Sequence, residues 1–181
     1  EELVALVYNL GLAFEAILDL CTGSGCIALA LQTKFPNAKV RGLDLSADAI
    51  ALAKENAQLN NLDLAFEVAD VLHWNPDQTY DLIVSNPPYI PSLEKTQMQA
   101  NVLDFEPHMA LFVPDNDPLL YYKRIIQIAE KCLNTEAYLA LEIHENFARE
   151  TQALFAGLGF KNVTIHADLQ GKERMILAQK A

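Results

Sequence analysis

The chain has 181 residues, 51% of them hydrophobic, which is enough for one well-buried domain and too few for two of ordinary size. A formal net charge of −11 and the lack of any Lys/Arg run count against a surface that neutralises many phosphates, so nucleic acid is disfavoured as a partner. No apolar run approaches the roughly 20 residues that span a bilayer, and no basic segment precedes an apolar one, so a soluble cytoplasmic protein is expected.

In chain order, the apolar run "AILDL" (Ala16–Leu20) reads as a strand ending in a glycine-containing turn, and "CIALALQTKF" (26–35) as a helix stopped by Pro36. "KVRGLDL" (39–45) reads as a second strand, and Ser46 caps a helix over 47–60 that stops at Asn60 and Asn61. "LAFEVAD" (64–70) and "YDLIVS" (80–85) are the third and fourth strands, the latter apolar enough for a parallel strand covered on both faces. Asp117 and Pro118 suit an N-cap and first turn for a helix through Cys132, followed by a fifth strand, "AYLALEI" (137–143). "FKNVTI" and "RMILAQ" lie too close in sequence for a crossover helix, so they should pair antiparallel. The alternation predicts a single α/β domain with a layered, mostly parallel sheet and an antiparallel final hairpin. The least regular stretch runs from Asn86 to about Asn116.

In open parallel sheets ligands bind beyond the carboxyl ends of the strands. That edge is loaded here. Cys21, Thr22, Gly23, Ser24 and Gly25 follow the first strand, and their glycines let the backbone approach a ligand while a helix N-terminus presents free N–H groups. Asp44 follows the second strand, 19 residues past Gly25, and can accept hydrogen bonds from two ribose hydroxyls. Asp70 and Val71 follow the third strand and Asn86 the fourth. Each has a bland explanation, since glycines and acids also serve ordinary turns. Their coincidence at successive strand ends points to an adenosine-containing ligand. "GSGCIA" (23–28) fits G-x-G-x-x-A, which keeps a nicotinamide dinucleotide open, but the chain lacks a second mononucleotide half and a final hairpin is foreign to that architecture. Cys21, Cys26 and Cys132 form no C-x-x-C pair, and His73, His108, His144 and His166 are scattered, so free thiols and no zinc site are expected.

"DLCTGSG", "GLDLS", "SNPPYIP", "FEPHMALF" and "DLQGKERMILA" occur in an order that resembles the HemK family, the peptide chain release factor glutamine methyltransferases. The resemblance covers nearly the whole chain. It implies a class I S-adenosylmethionine-dependent (Rossmann-like) fold of seven strands with a final hairpin, and S-adenosylmethionine as cofactor with S-adenosylhomocysteine as product. Cys21 to Gly25 would line the methionine part of the cofactor, Asp44 hold the ribose, and Asp70 with Val71 flank the adenine. Asn86, Pro87, Pro88 and Tyr89 correspond to the family's NPPY, which receives the substrate glutamine. Asn86 would also face the cofactor, and Asn86, Pro87 and Tyr89 would carry the chemistry.

The sequence departs from that pattern in three places. Cys21 stands where many members have the first glycine of the loop. Val71 stands where some have an aromatic residue. Members also carry an N-terminal helical domain that grips the release factor, which a chain starting at "EELVALV" is expected to lack.

The expected partner is a release factor, met by a monomer. A carboxamide nitrogen is a poor nucleophile, so the site must aim it at a sulfonium methyl carbon. Asn86 can accept one N–H of the amide, a Pro-Pro segment without donors can offer backbone carbonyl to the other, and Tyr89 can stack on its plane. The same arrangement would suit the exocyclic amine of adenine, which keeps an N6-adenine methyltransferase as a rival. Glutamine methylation of a ribosomal protein and an adenosine-ligand sensor without turnover are two more.

Overall fold

The structure, a computed structural model of the chain, describes residues 1–91, 93 and 112–181. In chain order the elements are α1 (Glu2–Tyr8), β1 (Ala16–Leu20), α2 (Cys26–Lys34), β2 (Lys39–Asp44), α3 (Ala47–Leu59), β3 (Ala65–Val68), β4 (Tyr80–Ser85), the short β5 (Ile90–Pro91) and β6 (Phe112–Val113), α4 (Leu120–Cys132), β7 (Leu133–Glu142), a 3-10 turn (Glu145–Phe147), α5 (Ala148–Ala153), β8 (Phe160–Ala167) and β9 (Glu173–Lys180). Seven strands form one sheet in the order β3-β2-β1-β4-β7-β9-β8. β3, β2, β1, β4 and β7 run parallel, and β9 pairs antiparallel with both β7 and β8. This is the expected sheet and hairpin. β5 and β6 pair with each other, apart from the main sheet.

Period-two alternation along buried strands sends neighbouring side chains to opposite faces. Leu18, Leu20, Ile83, Leu139, Leu141 and Ile176 therefore pack on one side with Ile125, Ile126 and Ala129 of α4. Ile17, Leu82, Val84, Ala140 and Leu177 pack on the other with Val7 of α1 and Leu31 of α2. Because both faces are covered, β1 and β4 read as nearly unbroken apolar runs.

Ser46 caps α3 as expected, its Oγ accepting from Ala49 N–H at 3.1 Å, with Asp48 in the first turn favouring the positive end of the helix. α4 departs from expectation. It begins at Leu120, with Leu119 in the N-cap position, and the Asp117 carboxylate instead accepts from Lys123 Nζ at 2.7 Å. An ion pair with a side chain of the second turn competes for the oxygens that would otherwise cap. β7 starts at Leu133, four residues before the predicted strand, and α1 and α5 were not foreseen because each is a single short amphipathic segment. Of "FEPHMALF", only Phe112 lies within the described residues, as does only part of the irregular 86–116 stretch.

Candidate functional site

Sheet register assembles the site before any side chain is considered. Leu20 pairs with Leu43 on one side and with Ser85 on the other, and Ser85 pairs with Leu141. One step further along each strand, Asp44, Cys21, Asn86 and Glu142 stand in a row at the carboxyl edge. The chain leaves β1 toward β2 on one side and β4 toward β7 on the other, so the row spans the topological switch point.

The loop after β1 is held from both ends. Gly23 N–H donates to Asp44 Oδ2 at 2.8 Å, Ser46 N–H to Asp44 Oδ1 at 2.9 Å, and Asn56 Nδ2 to the Ser24 carbonyl at 3.0 Å. Asp44 is half-buried, and a carboxylate has about four acceptor sites, so these bonds leave room for hydroxyl donors. Two glycines keep the loop close to the sheet. A Cβ on Gly25, whose φ is +81°, would lie 3.0 Å from the Ala53 Cβ, and one on Gly42 would lie 2.8 Å from the Phe66 ring and 2.9 Å from Thr22 Oγ1. Cys21 has a φ of +59°, the left-handed region where a side chain costs about 1–2 kcal/mol. That backbone is why glycine suits the position, and the chain bears the strain of a cysteine there. Burial, with the nearby Asp44 and Asp19 charges, pushes the Cys21 thiol far above its ordinary range.

Asp19, within the otherwise apolar run of β1, is the loop's hidden anchor. It is 0% exposed, its Oδ2 accepts from Thr22 Oγ1 at 2.6 Å and from Ala28 N–H at 3.2 Å, and its Oδ1 has no hydrogen-bond partner among the described residues. Burial raises its pKa to about 7, against the two hydrogen bonds and with a small push from Asp44. The signal in the sequence was a charged residue inside an otherwise apolar strand.

The loop after β3 is pinned by residues far away in sequence. Asp70 Oδ1 accepts from Leu72 N–H at 2.9 Å and its Oδ2 pairs with His73 Nδ1 at 2.7 Å. Partial burial would raise the Asp70 carboxyl, but these bonds hold it below its usual value. Val71 turns its side chain into the core, 5% exposed, while its carbonyl accepts from Arg124 Nε of α4 at 3.2 Å. The same guanidinium also donates to the Trp74 carbonyl. Tyr121, beside Arg124 on α4, is half-buried, and its phenol is raised by burial first and then by the nearby Cys21, Asp70 and Asp44 groups. Neither Tyr121 nor Arg124 carried a spacing signal, since both sit on a helix remote from the strand ends.

The loop after β4 is built differently. Asn86 is exposed, Pro87 and Pro88 are buried, and Tyr89 is half-buried with its hydroxyl donating to Glu142 Oε1 at 3.0 Å. Its ring meets His144 edge-on, with centroids 6.0 Å apart. His144 N–H in turn donates to the buried Tyr122 hydroxyl at 3.0 Å. Burial and the Glu142 charge lift the Tyr89 phenol far above its ordinary range, so it stays a donor. Beneath the loop, Ser85 Oγ donates to the Leu20 carbonyl at 2.6 Å and ties β4 to β1.

Thus the structure brings Cys21 to Gly25, Asp44, Asp70 and Asn86 to one edge, with Val71 represented there by its backbone. No group of three or more His, Cys, Asp or Glu among the described residues could hold a metal ion, and no described helix is long and apolar enough to cross a membrane.

A release factor glutamine methyltransferase of Flavobacterium psychrophilum is 43% identical over 97% of this chain and 64% of its own length. One of Bacteroides thetaiotaomicron is 39% identical over 99% of this chain and 65% of its own length. The chain therefore spans less than two thirds of these relatives. The crystal structure of a ribosomal protein L11 methylase from Lactobacillus delbrueckii subsp. bulgaricus shares the fold, with a TM-score of 0.67 at 21% identity, covering 99% of this chain and 78% of that one. The seven-stranded sheet is that of the class I methyltransferases. Residues 4–105 match the model of the methyltransferase small domain, and with more than half of its length so matched the chain belongs to that family.

Proposed function

We propose that the protein transfers a methyl group from S-adenosylmethionine to the side-chain amide nitrogen of a glutamine in a peptide chain release factor. The observation that carries this reading is the register that sets exposed Asn86 beside Cys21, with Asp44 on the other side of Cys21, so that an acceptor-side amide and a cofactor-side carboxylate share one edge. The names of the relatives at 43 and 39% identity support the choice of acceptor.

The residues present fit the cofactor. Asp44 keeps acceptor capacity beyond the Gly23 and Ser46 amides, and open space lies where a Cβ on Gly23 would stand, so the loop leaves room for a ligand beside that carboxylate. Residues 21–25 would hold the methionine end, Asp44 the ribose hydroxyls, and Asp70 with the Val71 backbone the adenine. S-adenosylmethionine supplies an electrophilic methyl carbon on a sulfonium.

The protein's own work is orientation. The Asn86 side-chain oxygen accepts one N–H of the glutamine amide, and the Pro87 carbonyl accepts the other, which turns the nitrogen toward the methyl-bearing side and favours positive charge as it develops. Pro87 and Pro88 have fixed φ and no N–H, so the segment holds its shape without competing for the acceptor. Tyr89, fastened through its hydroxyl, offers a ring face against the amide plane.

The test is mass spectrometry of release factors after incubation with labelled cofactor, with adenine-containing DNA and RNA in parallel. A methyl group on a release factor glutamine is the expected result. Label on adenine alone would replace this reading with the N6-adenine one, which the net charge of −11 disfavours.

A further inference from the structure

The acceptor loop needs something to hold it, and its own sequence does not supply that. After exposed Asn86 come two prolines without N–H donors, so residues 87 and 88 can make no backbone bond as donors. Tyr89 is the next residue able to tie the segment down, and its hydroxyl reaches Glu142, 53 residues on. Glu142 is the last residue of β7, and the Ser85–Leu141 register sets it one strand over from Asn86 at the same level. On its other side Glu142 pairs with Met175 of β9, in the interior of the sheet, so its backbone is fixed. Arg174, next to Met175, directs its guanidinium toward Glu145 at 3.4 Å and Asp168 at 3.8 Å.

We propose, resting on the function above, that Glu142 is a positioning residue for the methyl acceptor: by accepting the Tyr89 hydroxyl it fixes the ring, and through the ring the backbone of residues 86–88 that aims the amide. It does not touch the reacting atoms. Its carboxylate is the strong partner for a phenol, since hydrogen bonds to charged acceptors are roughly twice as strong as neutral ones. A rigid sheet end is also the most reliable support for a loop that must hold its geometry closely.

Four variants of the full chain test this: Glu142→Ala, Tyr89→Phe, the two combined, and Glu142→Gln. Cofactor affinity is read by calorimetry and methyl transfer with labelled cofactor and release factor. Glu142→Ala and Tyr89→Phe should each leave cofactor affinity unchanged and lower kcat by about tenfold to a hundredfold, the scale of a misplaced reacting group. The double variant should be no worse than the poorer single one, since both remove the same bond. Glu142→Gln keeps an acceptor oxygen and should stay within about fivefold of the wild type. An undiminished loss from Glu142→Ala in the Tyr89→Phe background would overturn the proposal because Glu142 would then act without Tyr89, and a Gln variant as poor as the Ala one would overturn it because an acceptor oxygen at 142 would then not hold the ring. Hydrogen exchange at the Asn86, Tyr89 and Ile90 amides needs no acceptor and separates this idea from the proposed function. Faster exchange in the Ala and Phe variants, with the Gln variant like wild type, supports the tether even if no glutamine is ever labelled; identical exchange in all four proteins sinks it.

Discussion

The two halves of the candidate site are held together by different means. On the cofactor side, each loop is braced by several bonds: Asp19 holds Thr22 and Ala28, Asp44 holds Gly23 and Ser46, and Arg124 of α4 reaches across to hold the loop after β3. On the acceptor side, Asn86 is exposed and, among the described residues, the segment behind it is held by the burial of two prolines, one hydroxyl bond and the short β5–β6 pairing. The contrast suits the two proposed ligands. A small cofactor of constant shape is best met by a preformed cradle, whereas a side chain on a large protein partner must be admitted and then aimed. Damage to the first half should therefore appear in stability and cofactor affinity, and damage to the second in turnover.

The largest expected effect lies on the cofactor side. Asp19 keeps a proton in the folded protein that the unfolded chain gives up, because burial raises its pKa from 3.8 to about 7. Its contribution is therefore most favourable at and below the unfolded pKa and fades as pH climbs to the folded one, by up to roughly 4 kcal/mol for a shift of this size. Urea unfolding from pH 4 to 8 should show wild type losing stability relative to Asp19→Asn up to about pH 7, then running parallel to it. A constant difference across that range would mean that Asp19 ionises like an ordinary carboxylate and that the cradle hides no such cost.

Next comes the sharpest test of the contrast itself. Asn86→Ala removes one positioned acceptor and should lower methyl transfer by roughly 10²-fold or more, with the fold and cofactor affinity retained. A parallel loss of cofactor affinity would show that the two halves are not separable at this residue. Smaller again, Asp44→Ala should weaken cofactor binding by on the order of 1–3 kcal/mol, since it frees the Gly23 and Ser46 amides as well as the ribose hydroxyls. Calorimetry reads this directly, and unchanged affinity in a folded variant would remove Asp44 from the ribose role.

The sequence displayed the cofactor half far better than the acceptor half, for a physical reason. Residues 21–25 and Asp44 follow strands whose apolar runs are plain, and their partners lie within one crossover, so local patterns carry them. Ser46 was legible as a cap for the same reason. Tyr89 was visible as an aromatic next to two prolines, but its partner at 142 and the Arg124 bond to Val71 depend on which strands and helices become neighbours, and no local pattern records that. Asp19 was missed in the opposite way: its run was recognised as a strand, and an acid there was absorbed into it. The cap expected at Asp117 failed because a lysine six residues on takes the carboxylate.

The position of β9 has a consequence for how the protein is made. It follows β8 in the chain yet lies between β7 and β8, so the sheet is completed from within rather than extended at its rim. While residues 173–180 are still inside the ribosome, β7 has no neighbour on that flank and β8 has nothing to pair with. Glu142, whose cross-strand partner is Met175, waits for that insertion as well. The nascent chain can thus finish its cofactor cradle on β1 to β3 before the acceptor loop acquires its support, and a chain cut short before Glu173 would leave a sticky interior edge instead of a missing fringe.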